Sequence, residues 1–118
     1  MTTALIFPGQ GSQQPGMGKA LYDRYSQSKA VFDEVDEALG EALSKTIFEG
    51  PEDQLTLTAN AQPALMAVSM AVMKALESEG FSLAESASHV AGHSLGEYSA
   101  LCAAGSISIA DTARLLRI

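Results

Sequence analysis

Apolar residues predict a short strand at the start of the chain and a long buried helix in its middle. The run from Ala4 to Phe7 is continuous and ends at Pro8-Gly9, which is typical of a buried strand covered on both faces. Between Asn60, a residue type favoured as an N-cap, and Gly80, apolar residues occupy nearly the whole circumference of a helix. We expect Pro63 in its first turn. Its methionines are expected to fill the core: Met66, Met70 and Met73.

Further helices are predicted on both sides of this one. From Asp23 to Leu39 apolar positions recur at helical spacing, and Gly40 is placed to cap the C-terminus. The stretch EALSKTIFEG at 41–50 predicts a short helix, and PEDQL begins one more turn. The apolar positions of the amphipathic helix are Val31, Phe32, Val35 and Leu39.

The last third of the chain predicts a second strand and two more helices. A short strand from His89 to Gly92 leads into a helix that ends near Gly105, and IADTARLLRI predicts the last helix. The fold class is therefore predicted to be α/β.

Composition and charge narrow the possible partners. The 118 residues suit one small domain, and 47% hydrophobic residues suffice for a core. The net charge of −7 argues against a nucleic-acid surface, and no apolar run is long enough to span a bilayer. The start MTTALIFPGQ does not resemble a signal peptide, and the single Cys102 excludes an internal disulfide and fits a reducing compartment. We expect a cytoplasmic protein without a nucleic-acid or membrane partner, and no metal site.

The glycine-rich loop after the first strand does not match a phosphate-binding motif. A dinucleotide fingerprint starting at Gly9 needs glycine where the chain has Gln14. A triphosphate loop ending at Gly18-Lys19 needs glycine and then Ser or Thr where the chain has Gln13 and Ala20. The loop therefore needs a different explanation.

The pentapeptide GHSLG at 92–96 matches the Gly-x-Ser-x-Gly nucleophile elbow, between a predicted strand and a predicted helix. Side chains at Gly92 or Gly96 would clash in so tight a turn, and Ser94 would be presented at a helix N-terminus. The amide of Leu95 would then face a developing oxyanion. The alternative is a tight strand-to-helix turn in which the serine is only a cap.

The opening loop is a candidate source of the second oxyanion donor. Gln10 lies between Gly9 and Gly11, and its backbone amide is our candidate; alternatively, these glycines only shape a turn. Neither histidine is a credible general base for Ser94. His93 adjoins the serine in the backbone, and His89 lies about 16 Å away along an extended strand at 3.3 Å per residue.

Three motifs together resemble one family. FPGQGSQ at 7–13, NAQPAL at 60–65 and GHSLGEYSA at 92–100 are similar to the malonyl-CoA:acyl-carrier-protein transacylases and to polyketide synthase acyltransferase domains. The resemblance implies a fragment of a hydrolase-like large subdomain with parallel strands, a nucleophile elbow and several helices. Residues 1–118 are then expected to be its N-terminal part, with the C-terminal part and the ferredoxin-like small subdomain absent.

The resemblance also implies roles for individual residues. Ser94 matches the nucleophile that takes a malonyl group from coenzyme A and passes it to the phosphopantetheine thiol of acyl carrier protein. The amides of Gln10 and Leu95 match the oxyanion hole, and Gln62 and His93 lie near the site. No bound cofactor is expected, because the coenzyme A thioester is the substrate.

Two further groups of that family fall outside this chain. The general base and the arginine that binds the malonyl carboxylate are expected beyond Ile118, so residues 1–118 alone are expected to be inactive. Arg114 and Arg117 are expected to be surface or helix-end cations, with Arg117 kept as a weak substitute. A serine hydrolase and a non-catalytic remnant that binds the carrier protein stay open as alternatives.

Overall fold

The computed structural model describes residues 4–81, 89–92 and 95–117. Within these ranges the chain forms two strands and seven helices, which confirms the predicted α/β class. In chain order they are β1 (Ala4–Phe7), α1 (Lys19–Arg24), α2 (Ser26–Leu39), α3 (Leu43–Glu49), α4 (Glu52–Thr56), α5 (Thr58–Ser78), β2 (His89–Gly92), α6 (Gly96–Ala103) and α7 (Ile109–Arg117).

The two strands pair in parallel, as predicted. Ala4 lies opposite His89, and Phe7 lies opposite Gly92. In a parallel pair both carboxyl ends reach the same edge of the sheet. The loop after Phe7 and the segment after Gly92 therefore leave the sheet side by side.

One face of β1 is exposed in the described part of the chain. Alternate side chains of a strand point to opposite faces. Phe7 is 5% exposed and belongs to the hydrophobic core, whereas Ile6 is 79% exposed. The prediction of a strand covered on both faces is therefore wrong for these residues, because no described element packs over Ile6.

Helix α5 forms the centre of the core, and Met66, Met70 and Met73 are buried as predicted. The helix begins at Thr58 with Leu57 as its N-cap, three residues before the predicted N-cap at Asn60. The backbone amides of Asn60 and Ala61 both donate to the Leu57 carbonyl, so the first turn starts there. Asn60 is therefore not the N-cap, and Pro63 lies in the second turn.

Helix α2 begins at Ser26 rather than at Asp23. Tyr25 is extended (φ −115°, ψ 121°) and separates α1 from α2. The predicted caps are confirmed, because Gly40 and Gly105 follow helices with φ of 68° and 85°. At the crossing of α2 and α5 the buried Ser28 hydroxyl donates to the Ala71 carbonyl at 2.7 Å, which satisfies both polar groups.

The start of α6 presses against the end of β1. A Cβ atom on Gly96 would lie 2.3 Å from the carbonyl oxygen of Phe7 and 3.2 Å from that of Pro8. A Cβ atom on Gly92 would lie 1.9 Å from the carbonyl carbon of Gly96. Any side chain at either position would displace backbone, so glycine is required for this packing.

We expect Gly96→Ala to lower the free energy of unfolding by about 3 kcal/mol or more, because the Phe7 carbonyl or the whole of α6 must move. Urea unfolding measures the loss. Gly105→Ala is the matched control at the other end of α6, where φ is 85° but nothing lies within 4 Å of the added Cβ. Its cost should be about 1 kcal/mol, and equal losses for the two variants would contradict the packing argument.

Candidate functional site

The candidate site lies at the carboxyl edge of the two-stranded sheet. Ser94 and His93 lie outside the described residues, so the structure describes only their neighbours Gly92 and Leu95. Leu95 is 2% exposed and belongs to the core cluster, immediately before α6 begins. The segment after β2 is thus attached to the core directly beyond the serine.

The loop after β1 is held by side-chain hydrogen bonds. Gln10 is exposed, and its Nε2 donates to Oγ1 of Thr58 at 3.1 Å. The backbone amide of Gly11, whose φ is 112°, donates to Oε1 of Gln13 at 2.8 Å. A φ of this sign favours glycine, so the loop conformation depends on Gly11.

This loop and the residues after β2 lie close together. The Pro8 carbonyl oxygen lies 3.2 Å from where a Cβ of Gly96 would stand. Gln10 follows Pro8 by two residues, and Leu95 directly precedes Gly96. The structure therefore places the beginning of this loop next to Gly92, Leu95 and Gly96, three of the site residues predicted from sequence.

Gln62 lies on α5, on the same face as Thr58, whose hydroxyl binds the Gln10 side chain. Residues four apart in a helix share a face, and Gln62 is four residues after Thr58. Its side chain is half-buried. The first turns of α5 thus place Gln62 on the face that contacts the Gln10 loop.

Arg117 binds the first turn of α5, a contact that sequence reasoning missed. Its Nε donates to the Ala59 carbonyl at 2.7 Å, and its Nη2 donates to Oδ1 of Asn60 at 3.2 Å. The same guanidinium pairs with the Glu41 carboxylate at 2.6 Å. Pro63 was the available signal, since a proline inside a helix removes the donor to the carbonyl four residues before it.

The two arginines of α7 therefore differ. Arg114 is 58% exposed and pairs with Asp111 at 2.9 Å, which confirms it as a surface cation. Arg117 is the last residue of α7, which confirms it as a helix-end cation, and its side chain is only 26% exposed. Because its guanidinium already binds three acceptors, it is also a poor substitute for an arginine that binds a substrate carboxylate.

The Cys102 thiol is not activated as a nucleophile. Burial raises the pKa of the Cys102 thiol above its usual value, and the interaction with the Thr112 hydroxyl only partly offsets that shift. The thiol is therefore neutral near pH 7. His89 lies at the opposite end of β2 from Gly92.

No group of three or more His, Cys, Asp or Glu side chains among the described residues is placed to hold a metal ion. No helix in the described part of the chain is both long enough and apolar enough to cross a membrane.

The chain is similar in sequence to transacylases. It is 51% identical over 114 residues to the malonyl CoA-acyl carrier protein transacylase of Bacillus subtilis strain 168, covering 97% of this chain and 35% of that protein. The corresponding protein of Escherichia coli K12 is 40% identical over 115 residues, covering 98% of this chain and 36% of the relative. The chain thus spans about a third of the length of these relatives.

Solved structures agree with the sequence matches. The acyl-carrier-protein S-malonyltransferase of Bartonella henselae has a TM-score of 0.97 at 63% identity, covering 99% of this chain and 37% of that one. A malonyl-transacylase solved in complex with a type II polyketide synthase acyl carrier protein has a TM-score of 0.91 at 39% identity, covering 99% and 37%.

The match to a family model extends over nearly the whole chain. The model describes the acyl transferase domain and matches residues 4–118. The chain belongs to the acyl transferase domain family.

Proposed function

We propose that the protein containing this chain transfers a malonyl group from coenzyme A to the phosphopantetheine thiol of acyl carrier protein, in fatty-acid biosynthesis. Residues 1–118 supply the nucleophile Ser94 and the oxyanion donors, as the N-terminal part of the large subdomain. The observation that carries the proposal is the contact between the end of β1 and the start of α6, on which the Gly92–Gly96 motif is built. The similarity to malonyl transacylases supports the choice of acyl group.

The first half-reaction forms an ester on Ser94. The serine oxygen attacks the thioester carbonyl, its proton passes to a general base, and the carbonyl oxygen becomes an oxyanion. The amides of Gln10 and Leu95 donate to that oxyanion. Collapse of the tetrahedral intermediate breaks the carbon–sulfur bond, and coenzyme A leaves as a thiol once it regains a proton.

The second half-reaction reverses the first with a different thiol. The phosphopantetheine sulfur of acyl carrier protein attacks the malonyl ester, and Ser94 regains its proton as the malonyl thioester leaves. The same two amides stabilise this second oxyanion. We assign the general base and the arginine for the malonyl carboxylate to residues beyond Ile118. Arg117 does not replace that arginine, since its guanidinium is engaged by Glu41, Ala59 and Asn60.

Ser94→Ala should abolish formation of the malonyl-enzyme, because the acyl group then has no attachment point. Incubation of the full-length protein with malonyl-CoA, followed by intact-mass measurement and peptide mapping, checks this. Cys102→Ala is the control and should be acylated at the normal rate, since Cys102 is buried. A malonyl mass shift that persists in Ser94→Ala rules out Ser94 as the nucleophile.

Addition of acyl carrier protein to the same incubation separates the alternatives. A serine hydrolase would acylate Ser94 but release free malonate instead of passing it to the carrier protein. A binding remnant would retain acyl carrier protein without any ester on Ser94. Transfer of the malonyl group to the carrier thiol is the outcome that the proposal requires.

Gln10→Pro should lower the acylation rate by about 10²- to 10³-fold, because it removes one oxyanion-hole amide. Gln10→Ala keeps the amide and loses only the side-chain bond to Thr58, so its acylation rate should fall much less. Rapid-quench measurement of acyl-enzyme formation compares the two variants. Equal rates for proline and alanine would show that the backbone amide of Gln10 is not a donor.

A further inference from the structure

We infer that Arg117 is a positioning residue for the oxyanion hole, acting through the first turn of α5 and the loop that carries Gln10. The inference rests on the proposed function, since it assigns a task to a residue outside the reacting groups. It follows from three connected observations: an unpaired helix carbonyl, a guanidinium that binds it, and a hydrogen bond from the same turn to the loop.

The first observation concerns the backbone of α5. In an α-helix the carbonyl of residue 59 accepts a hydrogen bond from the amide of residue 63. Residue 63 is a proline, which has no amide hydrogen, so the Ala59 carbonyl lacks its helical donor. The helix therefore has a free acceptor within its first turn.

Arg117 supplies the missing donor from another helix. Its Nε donates to the Ala59 carbonyl at 2.7 Å, and its Nη2 donates to Asn60 Oδ1 at 3.2 Å. Glu41 holds the same guanidinium at 2.6 Å from the loop between α2 and α3. A planar guanidinium serves several acceptors in fixed directions, and a lysine ammonium does not offer that geometry.

The Asn60 side chain also attaches the first turn of α5 to α4. While its Oδ1 accepts from Arg117, its Nδ2 donates to the Gln54 carbonyl in α4 at 2.9 Å. The first turn of α5 is therefore fixed to α7 and α4 through side chains rather than through an N-cap. Within the described residues, no side chain caps this helix at its N-terminus.

The turn that Arg117 binds also holds the Gln10 loop. Thr58 directly precedes Ala59, and its hydroxyl accepts the hydrogen bond from the side-chain amide of Gln10. The backbone amide of Gln10 is the proposed oxyanion donor, and a displacement of about 1 Å in such a group costs up to about 100-fold in rate. Loss of the Arg117 contact would therefore displace Thr58 and, through it, the Gln10 loop whose backbone amide faces the reacting oxygen.

The test compares variants of the full-length protein in acylation by malonyl-CoA, with rapid quench to separate kcat for ester formation from KM. Arg117→Met should lower the acylation kcat about 10-fold while KM for malonyl-CoA stays within about twofold, because positioning affects the transition state more than substrate binding. Arg114→Met is the matched control on the same helix. It removes only an exposed pair with Asp111 and should leave kcat unchanged.

Thr58 provides a conservative rescue. Thr58→Val removes the hydroxyl that accepts from Gln10 and should lower kcat about 5-fold, a typical hydrogen-bond effect. Thr58→Ser restores the hydroxyl and should restore the rate. The double variant Arg117→Met with Thr58→Val should be no slower than Arg117→Met alone, because both changes release the same loop.

Several outcomes would overturn the inference. These are an Arg117→Met rate equal to that of Arg114→Met, equal rates for Thr58→Val and Thr58→Ser, or multiplying effects in the double variant.

If Arg117→Met does not fold, Arg117→Lys replaces it, with an expected loss of about 3-fold in the acylation rate. An unchanged rate for that variant overturns the inference. An unaltered protein that forms no malonyl ester would overturn the proposed function and this inference with it, whereas normal acylation with indifferent Arg117 variants overturns the inference alone.

Discussion

The contact between the end of β1 and the first turn of α6 leaves no room for a side chain, and the arrangement of the site depends on it. Gly96 lies against the Phe7 carbonyl, and Gly92 lies against the carbonyl of Gly96. Because both residues are glycines, the backbone of α6 packs directly against the backbones of β1 and β2. The loop after β1 and the segment after β2 are adjacent because of this packing and because the strands are parallel.

A second constraint acts on the loop from the side of α5. Pro63 leaves the Ala59 carbonyl without a helical donor, and Arg117 binds it from α7. The same turn carries Thr58, which binds the side chain of Gln10. The core helix thus determines where the loop lies, and α7, which follows α6 in the chain, determines how the first turn of the core helix is held.

The sequence predicted most of the elements, but it missed α1 and the residues at which α2 and α5 begin. The strands at 4–7 and 89–92 and the buried α5 were predicted, because continuous apolar runs and complete apolar coverage are local signals. The start of α5 was not, since Asn60 and Pro63 resemble an N-terminal signature, whereas the Asn60 side chain instead makes tertiary contacts with Gln54 and Arg117. The break at Tyr25 carries no glycine or proline, and a periodic pattern runs across it.

The residues of the candidate site were also predicted only in part. The steric need for Gly92 and Gly96 was read from the spacing of the motif, and the structure gives the contacts that impose it. The roles of Ser94 and His93 stay predictions, since both lie outside the described residues. The task of Arg117 was missed because its partners, Glu41, Ala59 and Asn60, lie more than fifty residues away in the chain. The exposed face of β1 was missed because an apolar run does not tell which face is covered.

The most direct test is a crystal structure of the protein carrying its malonyl ester, accumulated with malonyl-CoA in the absence of carrier protein. The quantity to measure is the distance from the ester carbonyl oxygen to the backbone nitrogens of Gln10 and Leu95. The proposed site requires the ester on Ser94 and both distances near 3 Å. A carbonyl oxygen directed to solvent, or bound by other donors, would contradict it.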